Sequence, residues 1–252
     1  MSSPVFALLS VVLVSILPLL GAFFLFVREE LIRRSILFFV SFSTGALLGD
    51  VFLHMIPEMR GGASFTTDLQ VILVGIVFSF AIEKTIHWRH CHVLPGGPEK
   101  HEHHHHPVGM LTLFADAMHN FIDGLVIAGS YAVSVPIGLA TTLAVVLHEI
   151  PQEIGNIAIL LHSGYSRRQS ILFSVYSQTS AILGAVLFLF FSSRIAGLTD
   201  FMLPFAAGNF LYIAGSDLIP ELHKDTGLRH ALLQLAFMIL GILLMFGLRL
   251  GE

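Results

Sequence analysis

The chain has 252 residues, of which 55% are apolar and only 12% are Asp, Glu, Lys or Arg. A soluble domain carries about 25% charged residues, so this composition, with a mean hydropathy of +0.82, excludes an ordinary soluble enzyme and a disordered tail. A net charge of -4 leaves no electrostatic footprint for nucleic acid, and the single cysteine, Cys91, cannot form an intrachain disulfide.

A membrane helix needs about 20 mostly apolar residues. Eight segments meet that need, at about 4–27, 35–59, 68–88, 108–133, 136–162, 168–192, 200–222 and 229–249. The first, apolar from Val5 to Val27, is too long for a signal peptide and has no basic residue ahead of it. The second ends on His54-Met-Ile-Pro57-Glu58-Met. After the third comes the one long connection, about 89–107, which holds Pro95, Gly96, Gly97, Pro98 and the histidine run from His101 to His106. Such a run reads as a loose metal acceptor on the basis of composition. The seventh span repeats the second's ending as Asp217-Leu-Ile-Pro220-Glu221-Leu. Spans two and seven run in opposite senses, so the pair points to an inverted repeat of spans 1–3 and 6–8 around central spans 4 and 5, an architecture that places a site between the halves. The expected fold is therefore an all-α, polytopic, eight-helix bundle, one domain over 1–252. With the N-terminus outside, all Lys and Arg except Arg60, Arg194 and Arg249 fall on the cytosolic side, which puts both termini outside and the histidine run inside.

The fourth and fifth spans contain residues that lipid does not tolerate. Asp116, His119, Asn120 and Asp123 lie on the fourth; His148, Glu149, Gln152, Glu153 and Asn156 lie on the fifth. A charge at mid-bilayer costs about 2.5–3.5 kcal/mol, so four such acids must face each other, water or a cation. His119 and Asp123 are four apart and share one helix face; His148 with Gln152, and Glu149 with Glu153, repeat that spacing. Pro151 removes a backbone donor and frees the carbonyl of Leu147, which lipid-exposed backbone cannot tolerate but backbone lining a polar cavity can. Imidazole with carboxylate and amide oxygen suits Zn²⁺, and also Fe²⁺ or Mn²⁺; the missing thiolates disfavour Cu⁺, and two histidines disfavour Ca²⁺ or Mg²⁺. Interhelical hydrogen bonding is the bland alternative, outweighed by the number of polar groups on consecutive spans. His148-Glu149-x-x-Gln152 also stands one residue from the H-E-x-x-H motif of zinc proteases, so an intramembrane zinc metalloprotease is the alternative from another class. A metal-sensing receptor fits the same ligands.

His119-Asn-Phe-Ile-Asp123-Gly124 and His148-Glu-Ile-Pro-Gln152-Glu153 resemble the paired signature motifs of the ZIP (Zrt/Irt-like) zinc and iron transporters. Gly49-Asp50-Val-Phe-Leu-His54-Met-Ile-Pro57-Glu58 resembles the second-span motif of that family's histidine-rich branch. The resemblance implies a non-enzymatic transporter that moves Zn²⁺, with Fe²⁺, Mn²⁺ or Cd²⁺ as further substrates and no cofactor. It implies His119, Asp123, His148 and Gln152 as the primary site, Asn120 and Glu149 joining Asp123 in a neighbouring one, and His54 approaching from span two. One position departs from the branch pattern, since a second histidine is usual where Gln152 stands. The resemblance also implies a homodimer and an elevator-like movement of spans 1, 4, 5 and 6. The short connections favour a prokaryotic inner membrane.

Overall fold

A computed structural model describes residues 3–19, 29–59, 63–90, 107–224 and 227–250. Among them seven helices are long and apolar enough to cross a membrane: Ile36–Glu58, Phe65–Thr85, Gly109–Val133, Val135–His162, Arg167–Ser192, Leu198–Leu222 and Leu228–Leu250. A shorter apolar helix, Ser3–Leu19, precedes them; the rest of the expected first span, and the histidine run His101–His106, lie outside the described residues. The protein is an all-helical, multi-pass membrane protein. One buried apolar cluster draws on all eight helices, from Ala7 and Leu47 through Ile72, Val126, Ala144, Ala185 and Phe210 to Met245.

The packing separates into two groups. Span 2 lies along span 8 and span 3 along span 7, while spans 1, 5 and 6 gather on span 4. Three crossings bring backbones into contact, and glycine makes each possible. A Cβ on Gly45 would stand 2.0 Å from the carbonyl oxygen of Met238, and one on Gly241 2.2 Å from that of Phe42. Across spans 3 and 7, Gly75 would meet the Phe205 oxygen at 2.4 Å and Gly208 the Ile72 oxygen at 2.2 Å. Gly124 and Gly184 do the same between spans 4 and 6, against Ala181 and Phe121. In lipid there is no hydrophobic drive between helices, so such close approach is what holds them together.

The matched endings of spans 2 and 7 share a backbone irregularity. Val51–Met55 and Ala214–Leu218 are π-helical, the amides of Ile56 and Ile219 reaching back five residues to Val51 and Ala214. Each wide turn ends at an Ile-Pro-Glu. Proline has no amide and crowds the carbonyl four residues back, and a π turn relieves both problems without ending the helix. Gly45 and Gly208, His54 and Asp217, and Pro57 and Pro220 all stand 163 positions apart.

Gly45→Ala and Gly208→Ala should each cost about 1–3 kcal/mol, because backbone oxygens cannot turn aside for a methyl group. Thermal melting of the detergent-solubilised protein would register this as a clear fall in midpoint. Gly247→Ala, where a Cβ would find no heavy atom within 4 Å, should leave it unchanged.

Candidate metal centre

Spans 4 and 5 face each other at mid-depth with their polar rows inward. The helix Pro107–Val133 supplies His119 and Asp123, one turn apart; Val135–His162 supplies His148 and Glu149. His119 Nε2 lies 3.3 Å from His148 Nε2, 3.5 Å from Asp123 Oδ2 and 3.4 Å from Glu149 Oε1. His148 Nε2 is 3.3 Å from Asp123 Oδ2 and 3.5 Å from Glu149 Oε1. A tetrahedron whose centre lies about 2.0–2.1 Å from each corner has edges of about 3.3–3.4 Å, and these are zinc-to-nitrogen and zinc-to-oxygen bond lengths. Five of the six edges of the quartet, each 3.3–3.5 Å, thus match those of a tetrahedral divalent-ion site.

The surroundings prepare these atoms for a cation. His148 Nδ1 is 3.0 Å from the Ala144 carbonyl, which keeps that nitrogen as donor and turns the lone pair of Nε2 toward the site. Asp123, Glu149 and His148 are fully or almost fully buried, yet both oxygens of Asp123 and Oε1 of Glu149 have no hydrogen-bond partner. Glu149 Oε2 is held by the Gln178 side-chain amide at 3.1 Å. Gln178 sits where span 6 is interrupted between Arg167–Gln178 and Ser180–Ser192, and its carbonyl accepts from Ser15 of span 1 at 3.2 Å. Gly124 of the span 4 motif lies against Ala181, so its role is to admit span 6 and with it Gln178.

Pro151 does free the carbonyl of Leu147, and a residue of span 2 answers it. Ser43 Oγ lies 2.5 Å from the Leu147 oxygen and 2.7 Å from that of its own Phe39. The disturbed helix is thus satisfied by protein at the point where its polar side chains turn inward.

The expected residues do not all meet. His119, Asp123, His148 and Glu149 converge, whereas Gln152 turns its amide 3.5 Å from Asp116 Oδ1. Asn120 is buried and donates to the Asp116 carbonyl at 2.9 Å. His54 is wholly buried with Nδ1 3.3 Å from Asp50 Oδ1, on the π turn of span 2, and is not one of the four converging groups. Within the H-E-x-x-Q segment, His148 and Glu149 face the quartet, and the Gln152 amide nitrogen faces Asp116. Sequence reasoning missed Gln178 and Ser43. A Gln in the middle of the sixth span was a usable signal for the first; nothing local marks Ser43.

A cavity of about 750 Å³ reaches His119 and Asp116 from one side. Its walls include Gln152 and Asn156 of span 5, Glu83 of span 3, and Tyr212 and Asp217 of span 7. On the other side Leu47, Val51, Val126, Tyr131, Ile137 and Phe210 fill the space with apolar side chains.

The profile of the ZIP zinc transporter family matches residues 1–109 and 97–249. The chain belongs to the ZIP zinc transporter family. Among its relatives, "Zinc transporter ZIP13" of Pongo abelii is 34% identical over 82% of this chain and 64% of its own length. "Zinc transporter YKE4" of Saccharomyces cerevisiae is 30% identical over 95% of this chain and 79% of its own. "Zinc transporter ZIP13 homolog" of Drosophila melanogaster is 31% identical, with 82% and 75% covered. This chain thus spans a little under two thirds of the first relative and about three quarters of the other two.

Gln178→Leu removes the only donor to Glu149 Oε2 among the described residues. Zn²⁺ affinity in detergent, read by competition with a chelating dye, should fall about 10- to 100-fold while the protein stays folded. Ser43→Ala should leave that affinity close to normal and lower the melting midpoint, since a bared carbonyl costs about 1–3 kcal/mol.

Proposed function

We propose that the protein carries divalent cations across the membrane into the cytosol, Zn²⁺ foremost, with Fe²⁺, Mn²⁺ and Cd²⁺ as further substrates. The observation that carries this reading is the quartet His119, Asp123, His148 and Glu149, spaced for a tetrahedral ion and reached by a cavity from one side only. Its ligand atoms are the substrate's temporary shell, and no bond is made or broken. Asn120, Gln152 and His54 belong to the path around it: Gln152 on the cavity wall, Asn120 beside Asp116, His54 in the opposite half of the bundle.

The direction follows from charge. The cavity is bounded by the start of spans 2 and 4 and the end of spans 3, 5 and 7, at Ile36, Thr112, Glu83, Asn156 and Glu221. Those ends adjoin the loops rich in Lys and Arg, so by the positive-inside rule the cavity opens to the cytosol and both termini lie outside. The filled outer half and open inner half correspond to an inward-facing arrangement. Spans 1, 4, 5 and 6, packed on one another, would move as a body against spans 2, 3, 7 and 8. The repeated glycine crossings and paired π turns support an inverted repeat of spans 1–3 and 6–8. A two-fold dimer belongs to the same reading, and native mass spectrometry in nanodiscs would show twice the protomer mass. The relatives named are eukaryotic and lend no support to a prokaryotic inner membrane.

In proteoliposomes with a zinc-sensitive dye inside, the protein should give Zn²⁺ influx that His119→Ala, His148→Ala, Asp123→Ala and Glu149→Ala each abolish. Gln152→His, which adds an imidazole to the wall beside the quartet, should raise Zn²⁺ uptake relative to Mn²⁺. Cleavage of a membrane peptide without metal flux would instead establish the protease, and full influx in the histidine variants would remove the quartet from the path.

A further inference from the structure

One turn nearer the cytosolic mouth than the quartet, three carboxylates meet. Ligand oxygens of Asp116, Glu149 and Glu153 lie within 4.8 Å of one another. Asp116 is 3% exposed, Glu153 1% and Glu149 not at all. Asp116 precedes His119 by three residues on span 4, and Glu153 follows Glu149 by four on span 5, a displacement of about 4–6 Å along the helices. Both displacements run toward the cavity, which Asp116 lines.

The ring is set out for a cation. Amide donors take its outer oxygens: Asn156 donates to Asp116 Oδ1 at 2.7 Å, and Gln178 to Glu149 Oε2. The remaining oxygens, Asp116 Oδ2, Glu149 Oε1 and both of Glu153, are buried without a hydrogen-bond partner. The hydroxyl of Ser174, also wholly buried, faces Glu153 without completing a hydrogen bond. Arg and Lys are absent from the set. Buried carboxylate oxygens left without a donor are tolerable when a cation sits among them.

We propose that Asp116, Glu149 and Glu153 form a second divalent-cation site, made of oxygen alone, that receives the ion leaving the quartet, with Glu149 shared between the two. It rests on the transport reading above and adds a station to it. Oxygen ligands hold Zn²⁺ less firmly than imidazole does and accept harder ions such as Mn²⁺. The step from quartet to ring thus lowers affinity in the direction of release. The ligand set differs from that implied by family resemblance, in which Asn120 and Asp123 accompany Glu149; Asn120 donates its amide N–H to the Asp116 carbonyl and keeps a buried, unpaired Oδ1.

Mn²⁺ is the probe, because its electron paramagnetic resonance reports bound ion directly. The full chain in detergent, carrying His119→Ala with His148→Ala to disable the quartet, should still bind one Mn²⁺ per protomer. Adding Glu153→Gln or, separately, Asp116→Asn should weaken that binding at least tenfold; the two isosteric changes are independent reads of one site. In the chain with intact histidines, Glu153→Gln should slow Zn²⁺ influx while leaving Zn²⁺ affinity at the quartet within a few-fold of normal. Loss of all Mn²⁺ binding in the histidine-deficient protein overturns the second site, as does binding that neither carboxylate variant alters. Neither result touches the quartet. Absence of Zn²⁺ influx in the unsubstituted protein would overturn the transport reading instead, while the Mn²⁺ measurement still decides the ring.

Discussion

An ionised carboxylate buried at bilayer depth has to be matched by positive charge, and the centre of this bundle is arranged around that demand. Asp123 and Glu149 are sealed from solvent, and among the described residues their ion pairs are with histidines rather than Lys or Arg. Two imidazole nitrogens at 3.3–3.5 Å complete the set. Burial of such groups is unfavourable in itself and has to be supported elsewhere. The support comes from helices brought unusually close: the glycine contacts of spans 2 with 8, 3 with 7 and 4 with 6 fix the frame within which the polar rows face each other.

Backbone irregularity is concentrated where the frame meets the centre. Pro151 breaks the ladder of span 5 beneath His148 and Glu149, and Ser43 covers the exposed carbonyl. The π turns of spans 2 and 7 sit ahead of Pro57 and Pro220 and place His54 and Asp217 on the widened backbone. Helices that must carry polar side chains through lipid cannot be broken at random, because each freed group needs an internal partner. Here a hydroxyl or a wider turn supplies it each time.

Much of this was legible in the sequence. Segment lengths gave the second to eighth spans to within a few residues, because lipid thickness bounds the length of a crossing helix. The polar rows of spans 4 and 5 gave the centre, since charge has no other reason to be there. The partner of the Leu147 carbonyl was not legible: Ser43 is 104 residues away, and only the packing of span 2 against span 5 brings it in. Spacing set His148 with Gln152 and Glu149 with Glu153, and family resemblance took the first pair for the primary site. Four residues apart means one face, but it also means one turn higher. Span 4 offers ligands from two levels, His119 and Asp123, and span 5 meets them from a single level. Adjacent His148 and Glu149 straddle that level, and the longer Glu side chain swings its Oε1 inward while Gln178 holds Oε2 back.

Charge balance shows why this quartet suits a divalent ion rather than any ion. Two carboxylates and two neutral imidazoles carry a charge of -2, which one Zn²⁺ cancels. A monovalent ion would leave the set negative and a trivalent one would leave it positive, and each residual charge at mid-bilayer costs about 2.5–3.5 kcal/mol. If spans 1, 4, 5 and 6 move as proposed, a filled quartet brings no net charge of its own past the apolar wall of Leu47, Val51 and Phe210. An empty one cannot do so on the same terms, and its own repulsion favours the position where the cavity admits water and ions. The ligand chemistry and the direction of the cavity thus impose one condition: the carrier should cross with its cargo far more readily than without it.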